Sequence, residues 1–195
     1  MSTNRWAMAD LGTLRTILFN RHLSDADRLE VLRELGRLDP AQRSDVLSRA
    51  FQDVLRKPEA NVGLIPSLVE LLATDPEPGA TEVMLDMLPL MAHAGADHRG
   101  GNIPHDARTY FYEALITRRR EEDRKVWARR LPKLDGDALV DIMADPAAKP
   151  LRHSIDIMGL IDKLPRPERR KALFSLLFTG GPGVGMRALK KLFGG

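Results

Sequence analysis

The sequence predicts an all-α protein. Apolar residues recur at three- and four-residue spacing along its whole length, and no segment sustains period-two alternation. The punctuation between the periodic runs suits helix–helix turns. An array of about ten short antiparallel helices of roughly 8 to 17 residues is expected. At 195 residues the chain suits one domain with a sizeable core.

The first strong signal is "SDADRLEVLREL". Ser24 opens it with Asp27 three residues on, a capping box with Asp in place of Glu, and Leu29, Leu32 and Leu35 follow on one face. In "LDPAQRSDVLSRAFQDVL", Asp39 is the expected N-cap, Pro40 the first helical residue, and Val46, Leu47, Ala50, Phe51, Val54 and Leu55 the buried stripe. "VGLIPSLVELLATD" continues the pattern, with Pro66 expected in a first turn or at a kink. "TEVMLDMLPLMAHAG" is read as a helix that carries Pro89 and ends near Gly95. Further helices are expected in "HDARTYFYEALI", "EDRKVWARRL", "DALVDIM", "LRHSIDIMGLIDKL", "ERRKALFSLLF" and "GMRALKKLF".

Composition narrows the chemistry. There is no cysteine, which removes disulfides, thiolate zinc sites and thiol catalysis. No run approaches the roughly 20 apolar residues of a membrane span, and Asp10 and Arg15 interrupt any secretory core at the N-terminus. A cytoplasmic location is the expectation, and the excess of Arg over Lys suggests a bacterial, GC-rich genome. The net charge of +3 hides an asymmetry: residues 1–97 carry 10 basic and 15 acidic side chains, residues 98–195 carry 20 and 12. Such a dipolar molecule can orient on a charged partner. The expected organisation is one helical domain over 1–195. It comprises an acidic half (9–94), a Gly/His-rich loop (95–104), a basic half (105–179), and a glycine hinge with a short amphipathic helix (180–195).

Three helix junctions share a pattern. "LGRLDP", "LLATDP" and "IMADP" place Asp-Pro at Asp39, Asp75 and Asp145, which are 36 and 70 residues apart. A period near 35 is what stacked helical hairpins produce. On these residues the chain resembles the HEAT/armadillo class of α-solenoids, and the resemblance implies a right-handed superhelix. The middle junction is missing, because Tyr110 stands where it should fall, and a compact irregular bundle is the alternative.

The densest group of potential ligands is "MAHAGADHRGGNIPHDARTYF". His93, Asp97, His98, His105 and Asp106 are its candidate metal ligands, although none is assigned. A single helix binds zinc through His at i and i+4, whereas His93 and His98 are five apart and His98 and His105 seven, across glycines and Pro104. The His105–Asp106 pair resembles the HD-domain phosphohydrolases, but those enzymes embed it in an apolar helix and here Pro104 precedes it. A loop is the simpler expectation: Gly95 ends one helix, and His105 or Asp106 caps the next.

"ITRRREEDRKVWARRLPKL" is the basic stretch. If helical, it pairs Glu121 with Lys125, Arg118 with Glu122 and Arg119 with Asp123 at i, i+4. Arg120, Arg124, Arg129, Arg130 and Lys133 are then left scattered around the wheel. The candidate partner-binding residues are Arg118, Arg119, Arg120, Arg124, Lys125, Trp127, Arg129, Arg130 and Lys133, with Trp127 contributing only if exposed. Arg166, Arg169, Arg170 and Lys171 could extend the patch.

At the C-terminus, Gly180-x4-Gly185 has P-loop spacing, but Met186 and Arg187 stand where Lys and Ser or Thr belong. Met186, Leu189, Leu192 and Phe193 share one arc, expected to dock on the chain's own core, with a partner groove or an anionic membrane surface as the alternatives. The functional expectation is a cofactor-free, non-enzymatic scaffold or adaptor whose basic C-terminal surface binds an acidic protein partner. The alternatives are nucleic-acid binding by the same surface and a His/Asp metal-dependent hydrolase at residues 93–106.

Overall fold

A computed structural model of the chain describes residues 6, 9–20, 22–57, 62–96 and 103–193. All regular structure among them is helical. The α-helices are α1 (Leu11–Leu18), α2 (Asp25–Arg37), α3 (Pro40–Arg56), α4 (Ile65–Thr74), α5 (Pro78–Ala96), α6 (His105–Thr117), α7 (Arg124–Arg130), α8 (Gly136–Ala144), α9 (Lys149–Ser154), α10 (Ile157–Asp162), α11 (Arg166–Thr179) and α12 (Gly181–Phe193). Single 3₁₀ turns precede α4 and follow α7 and α8.

The caps of α2 and α3 form where the sequence places them. Ser24 Oγ accepts from Asp27 N at 3.2 Å and donates to its carboxylate at 2.7 Å. Asp39 Oδ1 accepts from Ala41 N at 2.9 Å with Pro40 in the first turn, and Pro66 lies in the first turn of α4. "LRHSIDIMGLIDKL" is two short helices rather than one. Asp156 breaks it by accepting from Gly159 N at 2.9 Å, the N-cap of α10.

Two rows of helices pack against each other. In one, α2 meets α4, α4 meets α6, and α6 meets α9; in the other, α3 meets α5, α5 meets α8, and α8 meets α11. The last helix, α12, folds back on α11. One continuous apolar core runs between the rows, from Leu14 to Ala188. Near its middle Phe51 of α3 stacks on Phe111 of α6 at 6.2 Å, and Phe111 meets Tyr112 edge-on.

The three Asp-Pro junctions are built alike. Asp39, Asp75 and Asp145 each accept from the backbone N–H two residues on, at 2.9, 2.9 and 3.0 Å. In each, a guanidinium takes the carbonyl three residues before the Asp. Arg43 donates to Gly36 O at 2.6 Å, Arg118 to Leu72 O at 2.7 Å, and Arg152 to Ile142 O at 3.0 Å. Those carbonyls end a helix without an intrahelical donor, at the negative end of its dipole, so a cation there satisfies both needs. Asp75 and Asp145 are fully buried. Asp145 is held by Arg108 Nε at 3.2 Å and Tyr112 Oη at 2.9 Å, whereas Asp75 has the Arg43 guanidinium at 3.7 Å.

Gly95 is the last residue but one of α5, close to the end that the sequence places there, and a Cβ on it would come within 2.2 Å of the Asp145 carboxylate. Its role is to let α5 close over that buried charge.

Candidate functional site

The basic stretch folds differently from a continuous helix. Residues 118–123 form a turn, and α7 starts only at Arg124. The expected i, i+4 pairs therefore have no register to form in. Arg118 is 1% exposed and acts inside the fold. It donates to Leu72 O, to Asp75 O, to Glu77 O at 2.7 Å and to Thr81 Oγ1 at 2.6 Å, and Thr81 in turn donates to buried Asp123 at 2.9 Å. Burial lowers the pKa of the Arg118 guanidinium, against the pull of Asp123 and Asp75.

The other arginines of the stretch are also engaged. Arg119 donates to Ser154 O and sits 5.7 Å from the Trp127 ring. Arg120 pairs with Asp123 at 3.0 Å and Arg124 with Glu121 at 3.0 Å. Arg129 binds Glu82 at 2.8 Å, while Arg130 binds Glu82 and, at 3.2 Å, Asp86. Trp127 is buried with its Nε1 toward Arg118 O, so its indole serves packing and offers no stacking platform. Lys125 and Lys133 are exposed, with no ion pair among the described residues. A cleft of about 680 Å³ lies beside this turn, floored by Ile116, Leu131 and Leu160, with Arg119 and Arg124 on its wall.

The structure does not bring the described histidines together. His93, in the last turn of α5, meets Asp141 of α8 at 3.0 Å. Burial raises the Asp141 carboxyl, opposed by the hydrogen bond from His93. His105 starts α6 and lies 3.6 Å from its neighbour Asp106, both exposed. Neither caps α6, whose N-cap position is Pro104. Asp97 and His98 lie outside the described residues. Among the described residues, no three His, Asp or Glu side chains converge as a metal site would need.

The charge asymmetry concentrates in the last helical pair. Residues 98–162 hold twelve basic and eleven acidic side chains, whereas residues 163–195 hold eight and one. The fold draws Arg166, Arg169, Arg170 and Lys191 around a groove of about 440 Å³ between α11 and α12, floored by Leu173 and Leu192. Lys191 bonds Asp162. The three arginines have no ion pair among the described residues.

Beside that groove the hairpin presents large apolar groups. Exposure is 59% at Phe174, 76% at Phe178, 56% at Met186, 40% at Leu189 and 79% at Phe193. This corrects the expectation that Met186, Leu189, Leu192 and Phe193 dock on the core. Of the four only Leu192 is partly buried, and α12 packs instead through Val184, Gly185 and Ala188. Small residues decide the orientation: a Cβ on Gly185 would lie 3.3 Å from Leu177 O, so the helices touch most closely there. The P-loop spacing has the same explanation: Gly180 is the C-cap of α11, where a Cβ would lie 2.6 Å from Val184, and Gly185 lies within α12. The exposed phenylalanines of α11 are foreshadowed in "ALFSLLF", which is apolar over more of its circumference than one packing face can bury.

No family model, curated protein or solved structure matches the chain.

Proposed function

We propose that the protein is a non-enzymatic helical-array adaptor that binds an acidic protein partner through the basic surface of its C-terminal hairpin. The observation that carries this reading is the hairpin's charge. Eight basic side chains stand against one acidic over residues 163–195, while six of the eight cations of 118–133 already bond carbonyls or carboxylates of the chain itself. Partner binding therefore moves from Arg118–Lys133 to Arg166, Arg169, Arg170 and Lys190. Unpaired surface charge speeds and orients encounter, and adjacent apolar anchors supply affinity. The like-built Asp-Pro junctions and the two rows of helices support a HEAT/armadillo-like stacking of repeats.

The test is affinity capture from lysate, with and without nuclease, on the wild-type chain and on a quadruple variant (R166E, R169E, R170E, K190E). A discrete protein that survives nuclease and is lost with the variant supports the adaptor. Capture of nuclease-sensitive material alone replaces it with a nucleic-acid-binding protein.

A further inference from the structure

Resting on that adaptor function, we infer that the segment bound at the hairpin is an amphipathic α-helix with an acidic end. It continues the helix row beyond α11.

The geometry of the open face carries this inference. Ala172 of α11 faces Gly136 of α8, its Cβ 3.5 Å from where a Cβ on that glycine would lie. At about 100° per residue, Phe174 and Phe178 lie about 160° and 120° around the helix from Ala172, on the far side from α8. On α12, Arg187, Lys190 and Lys191 border Met158 and Gly159 of α10. The arc of Met186, Leu189 and Phe193 lies about 120° from them. Both arcs turn away from the body of the protein, on the same open side of the hairpin. The row α5, α8, α11 stops there, and Phe174 and Phe178 are already paired edge to face at 5.3 Å. A further helix laid on this face buries its apolar stripe as each earlier helix of the row does.

Charge selects among occupants. A second copy placed face to face would bring two strongly basic hairpins together. A head-to-tail copy offers no acidic complement at its first helices, because residues 24–57 hold seven basic and seven acidic side chains. The cations gather in the groove at the N-terminal end of α11, so the complementary helix carries its carboxylates at one end and apolar anchors along its length.

Two fluorescent helical peptides of about five turns, sharing one Leu/Ile/Phe face, test this directly against the full chain by anisotropy. One ends in a cluster of Glu, the other in Lys at the same positions. The Glu peptide is expected to bind saturably and at least about tenfold tighter than the Lys peptide. The double variant F178S/F193S, at two highly exposed positions, should lose that binding with an unchanged melting temperature. Equal binding of the two peptides, or none, overturns the inference. So does Phe178-dependent sedimentation with phosphatidylserine vesicles in place of peptide binding, or a Phe178-dependent dimer in sedimentation equilibrium. Lysate capture that is lost on arginine reversal yet indifferent to F178S/F193S would preserve the adaptor and remove the helix.

Discussion

Gly95 and Asp145 fit each other so closely that a Cβ on the glycine would overlap the carboxylate at 2.2 Å. The carboxylate cannot withdraw, because Ala147 N, Arg108 and Tyr112 Oη all hold it. Gly95→Ala should therefore separate α5 from α8 and destabilise the protein by about 1–3 kcal/mol, the usual cost of overpacking. Gly79→Ala, whose Cβ would sit 3.7 Å from Ser44 Oγ, is the matched control in the same helix. It should change stability by less than about 0.5 kcal/mol. Urea midpoints of the two variants decide the point. Equal midpoints would mean that the buried carboxylate is not clamped.

Arg118 concentrates five acceptors on one buried guanidinium, from three backbone carbonyls of residues 72–75 to Glu77 O and Thr81 Oγ1. Removing the cation by Arg118→Met leaves the last turn of α4 uncapped and Asp123 without part of its compensating charge. The expected loss is about 3–5 kcal/mol, as for breaking a buried ion network from one side. Arg124→Ala, on an exposed pair with Glu121, should stay within about 0.5 kcal/mol. Chemical denaturation of both variants separates a structural arginine from a solvated one in the same sequence run.

That contrast shows what the sequence discloses and what it conceals. The helix-terminal signals at Ser24, Asp39 and Asp145 are local, so spacing alone reveals them. The arginines that complete the Asp-Pro junctions are not local. They come from four, forty-three and seven residues after the Asp, because each is supplied by whichever helix packs nearby. No spacing rule can mark Arg118 as internal when it stands in a run of three arginines. Gly95 reads as a helix end from its position, but its close approach to Asp145 is hidden because that partner lies fifty residues on. The open hairpin face was half visible: the apolar arc of α12 is plain in the sequence. That the arc would face outward depends on Gly185 and Ala188 taking the contact side.

The Asp145 cluster also predicts how stability varies with pH. Tyr112 has its pKa raised well above 10.0, first by burial and then by the Asp145 charge and hydrogen bond. The folded state thus keeps the phenol protonated where the unfolded chain ionises it. Stability from this group is complete below about pH 10 and is lost as pH climbs from there toward the folded-state value. Thermal melts between about pH 7 and pH 11 should show that decline in the wild type. Tyr112→Phe should flatten this component and lower stability at neutral pH by about 1–3 kcal/mol, because Asp145 loses a donor. An unchanged alkaline slope in the variant would assign the decline to other groups.

The last corner of the chain links stability to the proposed face. Gly181 has φ of +71° and nothing within 4 Å of a built Cβ, so Gly181→Ala carries a purely conformational cost of about 1 kcal/mol. Gly185→Ala adds a steric cost instead, pressing against Leu177 O at 3.3 Å. Both changes act only on how α12 sits against α11, since the rows from α2 to α8 do not touch these residues closely. Hydrogen exchange should therefore quicken in α12 alone, with α3 to α6 as protected as in the wild type. Binding of the Glu-ended peptide should weaken in the same order as α12 protection falls, because Met186, Leu189 and Phe193 reach the open face only from that pose. If exchange quickened in α12 while peptide affinity held, α12 would not be part of the surface that binds.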